Sequence, residues 1–156
     1  MNKSTKKWMI DEIGNVCEIH DAKRIPLSSV QRKNRKGQYP YYGANNIQDL
    51  IDDYIFDFDS VLLAEDGGYY EEYESRDIAQ YAQGKYWVNN HAHILTGRDC
   101  LDNKFLYYTL VRKNICPWIN TGTRAKLNQA DLRKIKISFP PLTQQKKIVE
   151  ILSGVD

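Results

Sequence analysis

The chain has 156 residues, of which 42% are hydrophobic and 27% charged, and its formal net charge is +2 at pH 7. This length suits about one domain with its own core, and no apolar run approaches the ~18 residues of a membrane-spanning helix. The basic start lacks the apolar stretch of a secretory signal. Cys17, Cys100 and Cys116 lack metal-binding spacing, so we expect reduced thiols in a cytoplasmic protein without a membrane partner.

Charge is distributed unevenly along the chain. Residues 1–50 carry 9 basic and 5 acidic groups, residues 51–80 carry 1 and 10, and residues 81–156 carry 12 and 5. A protein that binds a polyanion can contact it with both basic segments and turn the acidic middle away. A solvated turn region explains the acidic segment equally well.

The first candidate contact is a basic loop near the start of the chain. Arg32, Lys33, Arg35 and Lys36 precede Gly37. Such a loop can bind phosphates, because contact with them releases counterions. The alternative is an ordinary solvated surface loop.

The middle of the chain is predicted to form short strands joined by turns. Ser60–Glu65 and Tyr86–Ile94 have strand composition, and turn sequences such as GANN and EDGG flank them. Tyr69, Tyr70 and Arg76 follow a Gly-Gly turn, where a loop can reach into a DNA groove. Core packing explains these tyrosines equally well.

Two groups of side chains suggest a metal site. Four carboxylates are of the kind that holds Mg²⁺, namely Asp57, Asp59, Glu65 and Asp66. The Glu-x-Lys sequence of a metal nuclease does not follow them, and Asp66 begins a turn. His91 and His93 would share one face of a strand, but no third ligand is patterned with them. We therefore predict two structural histidines and no metal.

A turn near residue 122 is the strongest candidate for base contact. It follows the one clear internal helix, Asp102–Asn114, for which Asp102 is the expected N-cap. Gly122 is the residue best able to take a positive φ, and Arg124 and Lys126 flank the turn. An Arg fork there can contact guanine O6 and N7, and Lys can contact a phosphate.

The rest of the chain is predicted to form a helix, a strand and a second helix. Asn128 is expected to cap the first. In the strand, Ile135, Ile137 and Phe139 alternate with polar residues, and two prolines end it. Thr143 is expected to cap the last helix, whose apolar stripe has no local cover and is predicted to bind a partner. The stripe consists of Ile148, Ile151, Leu152 and Val155.

Strands dominate the centre and helices the second half, so the predicted fold is α+β, a single domain with a twisted mixed β-sheet and a few helices. Motifs for catalysis are missing. The SFPPL sequence lacks both the amide or carboxylate and the aromatic ring that flank the prolines of amino-methyltransferases. No GxxxxGKS/T phosphate-binding loop is present. We therefore expect a non-catalytic chain that binds no cofactor.

Several blocks resemble the target recognition domain of the specificity subunit of type I restriction-modification systems. They occur in the family's order: Trp8 with IGNVCEI (Ile13–Ile19), AKRIPLSS (Ala22–Ser29), YPYYGANNI (Tyr39–Ile47), VLLAEDGG (Val61–Gly68), GKYWVNNHAHIL (Gly84–Leu95), and a Pro-Pro-Leu sequence before a helix. The resemblance covers nearly the whole chain. Two features depart from it: the TGT loop is about one residue shorter than the commonest form and lacks its Pro, and the final helix is short.

The resemblance implies a fold similar to methyltransferase DNA-specificity domains. It divides the chain into a target recognition domain, residues 1–141, and the beginning of a spacer helix, residues 142–156. It implies recognition of one half of a bipartite double-stranded DNA target. Asn89 and Asn90 are suited to adenine, but their block resembles the family's scaffold.

The resemblance also implies partners: methylation and restriction subunits, and a second recognition domain in the same subunit or through homodimerisation. S-adenosylmethionine, ATP and Mg²⁺ would then be used by the partner subunits. Two rival functions remain open on the sequence. One is a metal-dependent enzyme that cuts or modifies DNA, and the other is a protein-interaction module that does not bind DNA.

Overall fold

The computed structural model describes residues 7–122 and 124–154. The strands are β1 (Met9–Glu12), β2 (Cys17–Ile19), β3 (Lys36–Tyr42), β4 (Ile47–Ile51), β5 (Phe56–Asp57), β6 (Ser60–Ala64), β7 (Ala79–Ala82), β8 (Lys85–Val88), β9 (Ala92–Gly97) and β10 (Lys136–Phe139). The α-helices are α1 (Ile13–Val16), α2 (Ser29–Lys33), α3 (Asn103–Leu110), α4 (Gln129–Lys134) and α5 (Leu142–Ser153). The predicted α+β class is confirmed. None of the helices described is long and apolar enough to cross a membrane.

The strands form three sheets rather than the one predicted. The core sheet has the order β2-β9-β6-β7 and is antiparallel. The mixed sheet has the order β4-β3-β8-β5, with β3 and β8 parallel. The terminal ribbon pairs β1 with β10, so that Met9 lies opposite Phe139.

A turn explains why one predicted strand belongs to two sheets. The expected strand Tyr86–Ile94 is divided into β8, in the mixed sheet, and β9, in the core sheet. Between them the Asn89 side chain accepts a hydrogen bond from His91 N at 2.8 Å. An Asn side chain that bonds the backbone two residues onward closes a local turn. The chain therefore changes sheets at this point.

Strand β6 lies at the centre of the fold and is buried along its whole length. On one face, Leu62 packs with Phe56 and Tyr86 of the mixed sheet. On the other, Val61 and Leu63 join the cluster that includes residues of α1, α3 and α4. A strand covered on both faces requires a continuous apolar run, which the sequence of β6 provides. The core sheet is thus the middle layer.

The predicted helix starts are only partly correct. Asp102 caps α3 and accepts from Phe105 N at 3.0 Å, as expected. Helix α3 ends at Leu110 rather than Asn114. Asn114 accepts a hydrogen bond from Cys116 N at 3.1 Å, just before the 3-10 helix Cys116–Trp118. Asn128 precedes α4 without a side-chain cap. Pro141, not Thr143, is the N-cap of α5.

Strand β10 shows the predicted alternation, with Ile137 and Phe139 buried and Lys136 exposed. The expected positive φ at Gly122 is wrong. In the described residues, the glycines with positive φ are Gly67 and Gly84. The 120–127 turn is closed by backbone hydrogen bonds between Asn120 and Lys126, and Gly122 N donates to Asn120 Oδ1 at 3.1 Å.

A buried glutamine anchors α5 to the domain. Gln145 is 0% exposed. Its Oε1 accepts from Asp102 N at 2.8 Å, and its Nε2 donates to Cys100 O and Pro140 O, both at 2.8 Å. One side chain thus satisfies three backbone groups; the bond to Pro140 O is buried, and the other two are partly buried. It joins the first turn of α5 to the segment before α3.

Gln145→Met should test this anchor, because it keeps a long unbranched side chain and removes all three hydrogen bonds. We expect the free energy of unfolding to fall by about 2–3 kcal/mol, the cost of leaving backbone groups buried without partners. Urea denaturation measures it. Gln144→Met is the matched control, since the structure gives Gln144 only a backbone hydrogen bond, and we expect a change within about 0.5 kcal/mol. Equal losses in both variants would contradict the anchor.

Candidate nucleic-acid interface

The 120–127 turn projects from the edge of the core. Asn120 and Lys126 exchange two backbone hydrogen bonds of 2.9 Å each. Arg124 and Lys126 are exposed, whereas Leu127 is fully buried. The turn therefore exposes two cationic side chains next to the buried Leu127, which we call the foot of the turn. Thr123 lies outside the described residues.

The second candidate segment lies beside this turn. Asp66 forms an isolated β-bridge with Lys126. A cavity of about 300 Å³ separates the two segments and is lined on one side by residues 68–72 and on the other by Ile119, Thr121 and Ala125. Sequence left open which of the two segments contacts DNA. The structure places both at one cleft.

Tyr70 is a packing residue of this cleft. It is 3% exposed, and its hydroxyl donates to Ala64 O at 2.8 Å. Burial raises the pKa of Tyr70 well above its usual range. A Cβ on Gly68 would lie 2.7 Å from the Tyr70 ring, so the Gly-Gly turn permits the ring to pack. Of the two alternatives for this tyrosine, the structure favours packing.

Tyr69 and Arg76 form a surface pair next to it. The Arg76 guanidinium carbon lies 3.6 Å from the centroid of the Tyr69 ring, a cation–π geometry. Arg76 also contacts Glu72 at 3.3 Å. Tyr69 and Glu72 line the cleft, and Arg76 lies beside it because it contacts both of them.

The basic segment 32–36 is not a free loop. It spans the end of α2 and the start of β3. Lys36 Nζ lies 2.7 Å from Asp49 Oδ1, and Arg35 Nε lies 3.0 Å from Asp52 Oδ1. The hydrogen bond from Lys36 is the largest influence that lowers the pKa of Asp49. Nearby acidic side chains therefore neutralise some of the basic groups that were predicted to contact phosphates.

The two arginines of this segment are also held on aromatic rings. Arg32 lies 5.0 Å from the centroid of Tyr41, and Arg35 lies 5.1 Å from that of Trp87. Arg32 donates to Leu27 O at 2.6 Å. Lys33 is exposed. The segment thus offers less free charge to phosphates than its sequence predicts.

A buried polar cluster lies beneath the 120–127 turn. His93 Nδ1 is 2.6 Å from Asp21 Oδ2, and His93 Nε2 is 2.6 Å from Leu127 O. Glu65 O accepts from Leu127 N at 2.7 Å. Glu65 also receives Arg24 Nη1 at 2.8 Å. Sequence analysis missed Asp21 and Arg24, because they lie in different segments from the residues that they contact.

Asp21, Glu65 and His93 form the group in the described residues that has the composition of a metal site. Their potential ligand atoms lie within 4.8 Å of one another. Both nitrogens of His93 and both oxygens of Asp21 are already hydrogen-bonded. Arg24 and Lys126 contact Glu65 at 2.8 and 3.8 Å, so a divalent cation would meet two positive side chains. These contacts favour a hydrogen-bonded cluster over a metal centre.

The histidine pair differs from its predicted arrangement. His91 lies in the turn before β9 rather than on the strand, and its Nδ1 is 2.6 Å from Asp66 Oδ1. His93 lies on β9 and is 0% exposed. Each ring therefore has its own carboxylate partner.

The apolar stripe of α5 is only partly free. Ile148 packs against the main core cluster together with Val149. Ile151 and Leu152 are 68% and 40% exposed. Val155 lies outside the described residues. The surface available to a partner in the described helix therefore centres on Ile151 and Leu152.

The sequence of the chain matches a known family of proteins. A family model described as the type I restriction modification DNA specificity domain matches residues 5–156. A type I restriction enzyme specificity subunit of Haemophilus influenzae is 42% identical over 153 residues, which are 97% of this chain and 38% of that protein. The MpnII specificity subunit of Mycoplasma pneumoniae is 27% identical over 146 residues, 90% of this chain and 42% of that protein.

Solved structures share the fold. The type I restriction-modification S subunit from M. genitalium aligns with a TM-score of 0.74 at 16% identity and covers 95% of this chain and 38% of that one. The specificity subunit from Thermoanaerobacter tengcongensis aligns with a TM-score of 0.57 at 17% identity, covering 94% and 37%. The chain thus spans about two-fifths of the length of these proteins. It belongs to the family of type I restriction-modification DNA specificity domains.

Proposed function

We propose that this chain recognises a specific sequence in double-stranded DNA, as one half of a bipartite target of a type I restriction-modification complex. One observation carries the proposal: the 120–127 turn exposes Arg124 and Lys126 while its foot, Leu127, is buried. Base recognition requires a side chain held in a defined position by rigid structure. Membership in the specificity-domain family supports the same function.

The two cations of the turn have different tasks in this proposal. Arg124 contacts guanine through its two parallel donors, which gives about 1–3 kcal/mol of discrimination. Lys126 contacts a phosphate and carries no sequence information. Tyr69 lines the same cleft and Arg76 stacks on its ring, so the pair contacts the adjoining base pairs or backbone. The paired residues of segment 32–36 contribute less.

The chain is proposed to be non-catalytic. S-adenosylmethionine, ATP and Mg²⁺ are used by partner subunits that methylate or cut the DNA. The SFPPL sequence and the hydrogen-bonded cluster around His93 support this assignment of the chemistry to the partners. Residues 142–156 begin a spacer helix that docks a second recognition domain or a methylation subunit. The exposed Ile151 and Leu152 support that contact.

DNA binding by this single domain should be weak, because it neutralises few phosphates, and it should fall with salt, because each neutralised phosphate releases counterions. If ~4 phosphates are contacted, the logarithm of the binding constant falls with the logarithm of salt at a slope of about −3.6. Fluorescence anisotropy with duplexes selected from a random library measures it, with Mg²⁺, ATP and S-adenosylmethionine added in a parallel assay. A flat salt profile would contradict backbone contact. Cleavage or methylation of the DNA above a buffer control would favour the rival enzyme.

Exchanging each cation of the turn separates base contact from phosphate contact. Arg124→Ala should relax the selected sequence at one position, whereas Lys126→Ala should weaken all duplexes by about the same factor. Sequencing of the selected DNA pools distinguishes the two. Lys33→Ala is a useful control, because Lys33 is an exposed cation of the other basic segment. If Arg124→Ala leaves the selected DNA sequence unchanged at every position, the base contacts lie instead in the Tyr69–Arg76 segment.

The exposed end of α5 should be required for assembly. Ile151→Asp with Leu152→Asp places charges on a face that would be desolvated in the complex, so association with a second specificity domain or the methylation subunit should be lost while the domain stays folded. Gel filtration and circular dichroism measure both. Lys147→Asp is the control, because it reverses the charge at an exposed position of the same helix. A folded double variant that still assembles would show that the partner-binding surface lies elsewhere on the chain.

A further inference from the structure

We propose that Asp21 and His93 are positioning residues for DNA recognition, which hold the foot of the 120–127 turn at Leu127. The proposal rests on the proposed function of that turn. Its evidence is the buried chain of contacts from Asp21 through His93 to the Leu127 carbonyl. Neither residue reaches the surface: His93 is 0% exposed and Asp21 is 6% exposed.

The partners of His93 determine its protonation state. Nδ1 faces the Asp21 carboxylate and Nε2 faces the Leu127 carbonyl, each at 2.6 Å. A neutral imidazole has one donor and one acceptor nitrogen, whereas an imidazolium has two donors. Both partners are acceptors when Asp21 is ionised, so the proposal gives both ring nitrogens the donor role, as in an imidazolium.

The surroundings of Asp21 keep it ionised. Its Oδ1 accepts from Ile94 N at 3.0 Å, and its Oδ2 accepts from Gln129 Nε2 at 3.2 Å as well as from His93. Burial alone would raise the pKa of Asp21, but the hydrogen bond and charge of His93 and the bond from Ile94 N lower it overall. A carboxylate with three donors matches the charge of the imidazolium.

Leu127 is held by its side chain and by both of its backbone polar groups. Its side chain is buried, its N–H donates to Glu65 O at 2.7 Å, and its carbonyl accepts from His93. Glu65 directly follows β6, and His93 lies on β9. The turn therefore takes its position from two adjacent strands of the core sheet. Arg124 lies only three residues from this point, and a bidentate contact to guanine tolerates little displacement.

Two variants separate the effect of the hydrogen bond from His93 to Leu127 O from the effect of the charge on His93. His93→Leu removes both hydrogen bonds. Asp21→Asn keeps them in another form, because an Asn amide can donate to Nδ1 of a neutral His93 while Nε2–H still donates to Leu127 O. His20→Leu is the control: His20 bonds Thr96 Oγ1 at 2.8 Å, away from the turn. All three are compared at a temperature at which circular dichroism shows them folded.

Three measurements test the proposal on the full chain. Nitrogen-15 chemical shifts of the His93 ring should show two protonated nitrogens in the unaltered protein and one in Asp21→Asn. Hydrogen exchange at the Asn120 and Lys126 amides should accelerate about 10-fold or more in His93→Leu, while exchange in β6 is unchanged. The affinity ratio between selected and random duplexes should fall by about 10-fold in His93→Leu and by less than about twofold in Asp21→Asn and His20→Leu, with binding to random DNA unaltered in all three.

The outcomes distinguish the two proposals. A folded His93→Leu variant with normal exchange and normal discrimination would overturn the positioning role and leave the proposed function intact. A His93 ring whose Nε2 carries no proton would do the same, because it could not donate to the Leu127 carbonyl. If the unaltered protein does not discriminate between selected and random duplexes, the proposed function itself fails. Faster exchange in the turn together with lost discrimination supports both.

Discussion

Burial of β6 on both faces is the constraint on which the rest of the molecule depends. The strand is covered by the mixed sheet on one side and by the helical layer on the other, so it cannot shift without exposing a continuous apolar run. The chain turns at Glu65 immediately after it, and Glu65 O holds Leu127 N. Both segments that border the cleft thus start from the least movable part of the domain.

Buried polar side chains then determine how the outer segments attach to that layer. His93 joins Asp21 and Leu127, and Gln145 joins the segment before α3 to the first turn of α5. An unpaired buried polar group costs more than a typical hydrogen bond contributes. These side chains therefore favour one arrangement of the segments rather than simply adding stability. The apolar layers hold the domain together, and the buried polar groups determine where its outer segments attach.

Sequence predicted the parts of the fold that depend on neighbours along the chain. The alternation in β10 and the Asp102 cap involve residues within a few positions of each other, and both are correct. Contacts between distant segments escaped it. Asp49 lies 13 residues from Lys36, and Asp21 lies 72 residues from His93, so no local pattern reveals either pair. Tyr70 and Ile148 are residue types that suit either a surface role or a core role. Only their packing in the structure shows which role each of them has.

The terminal ribbon has a mechanical consequence. Met9 pairs with Phe139 and Glu12 with Lys136, so the start of β1 lies beside the end of β10. Pulling these two ends apart would load the ribbon's hydrogen bonds one after another rather than all together. Helix α5 follows β10 and is held by Gln145, so tension from the carboxyl-terminal side would act on that anchor before it reached the ribbon.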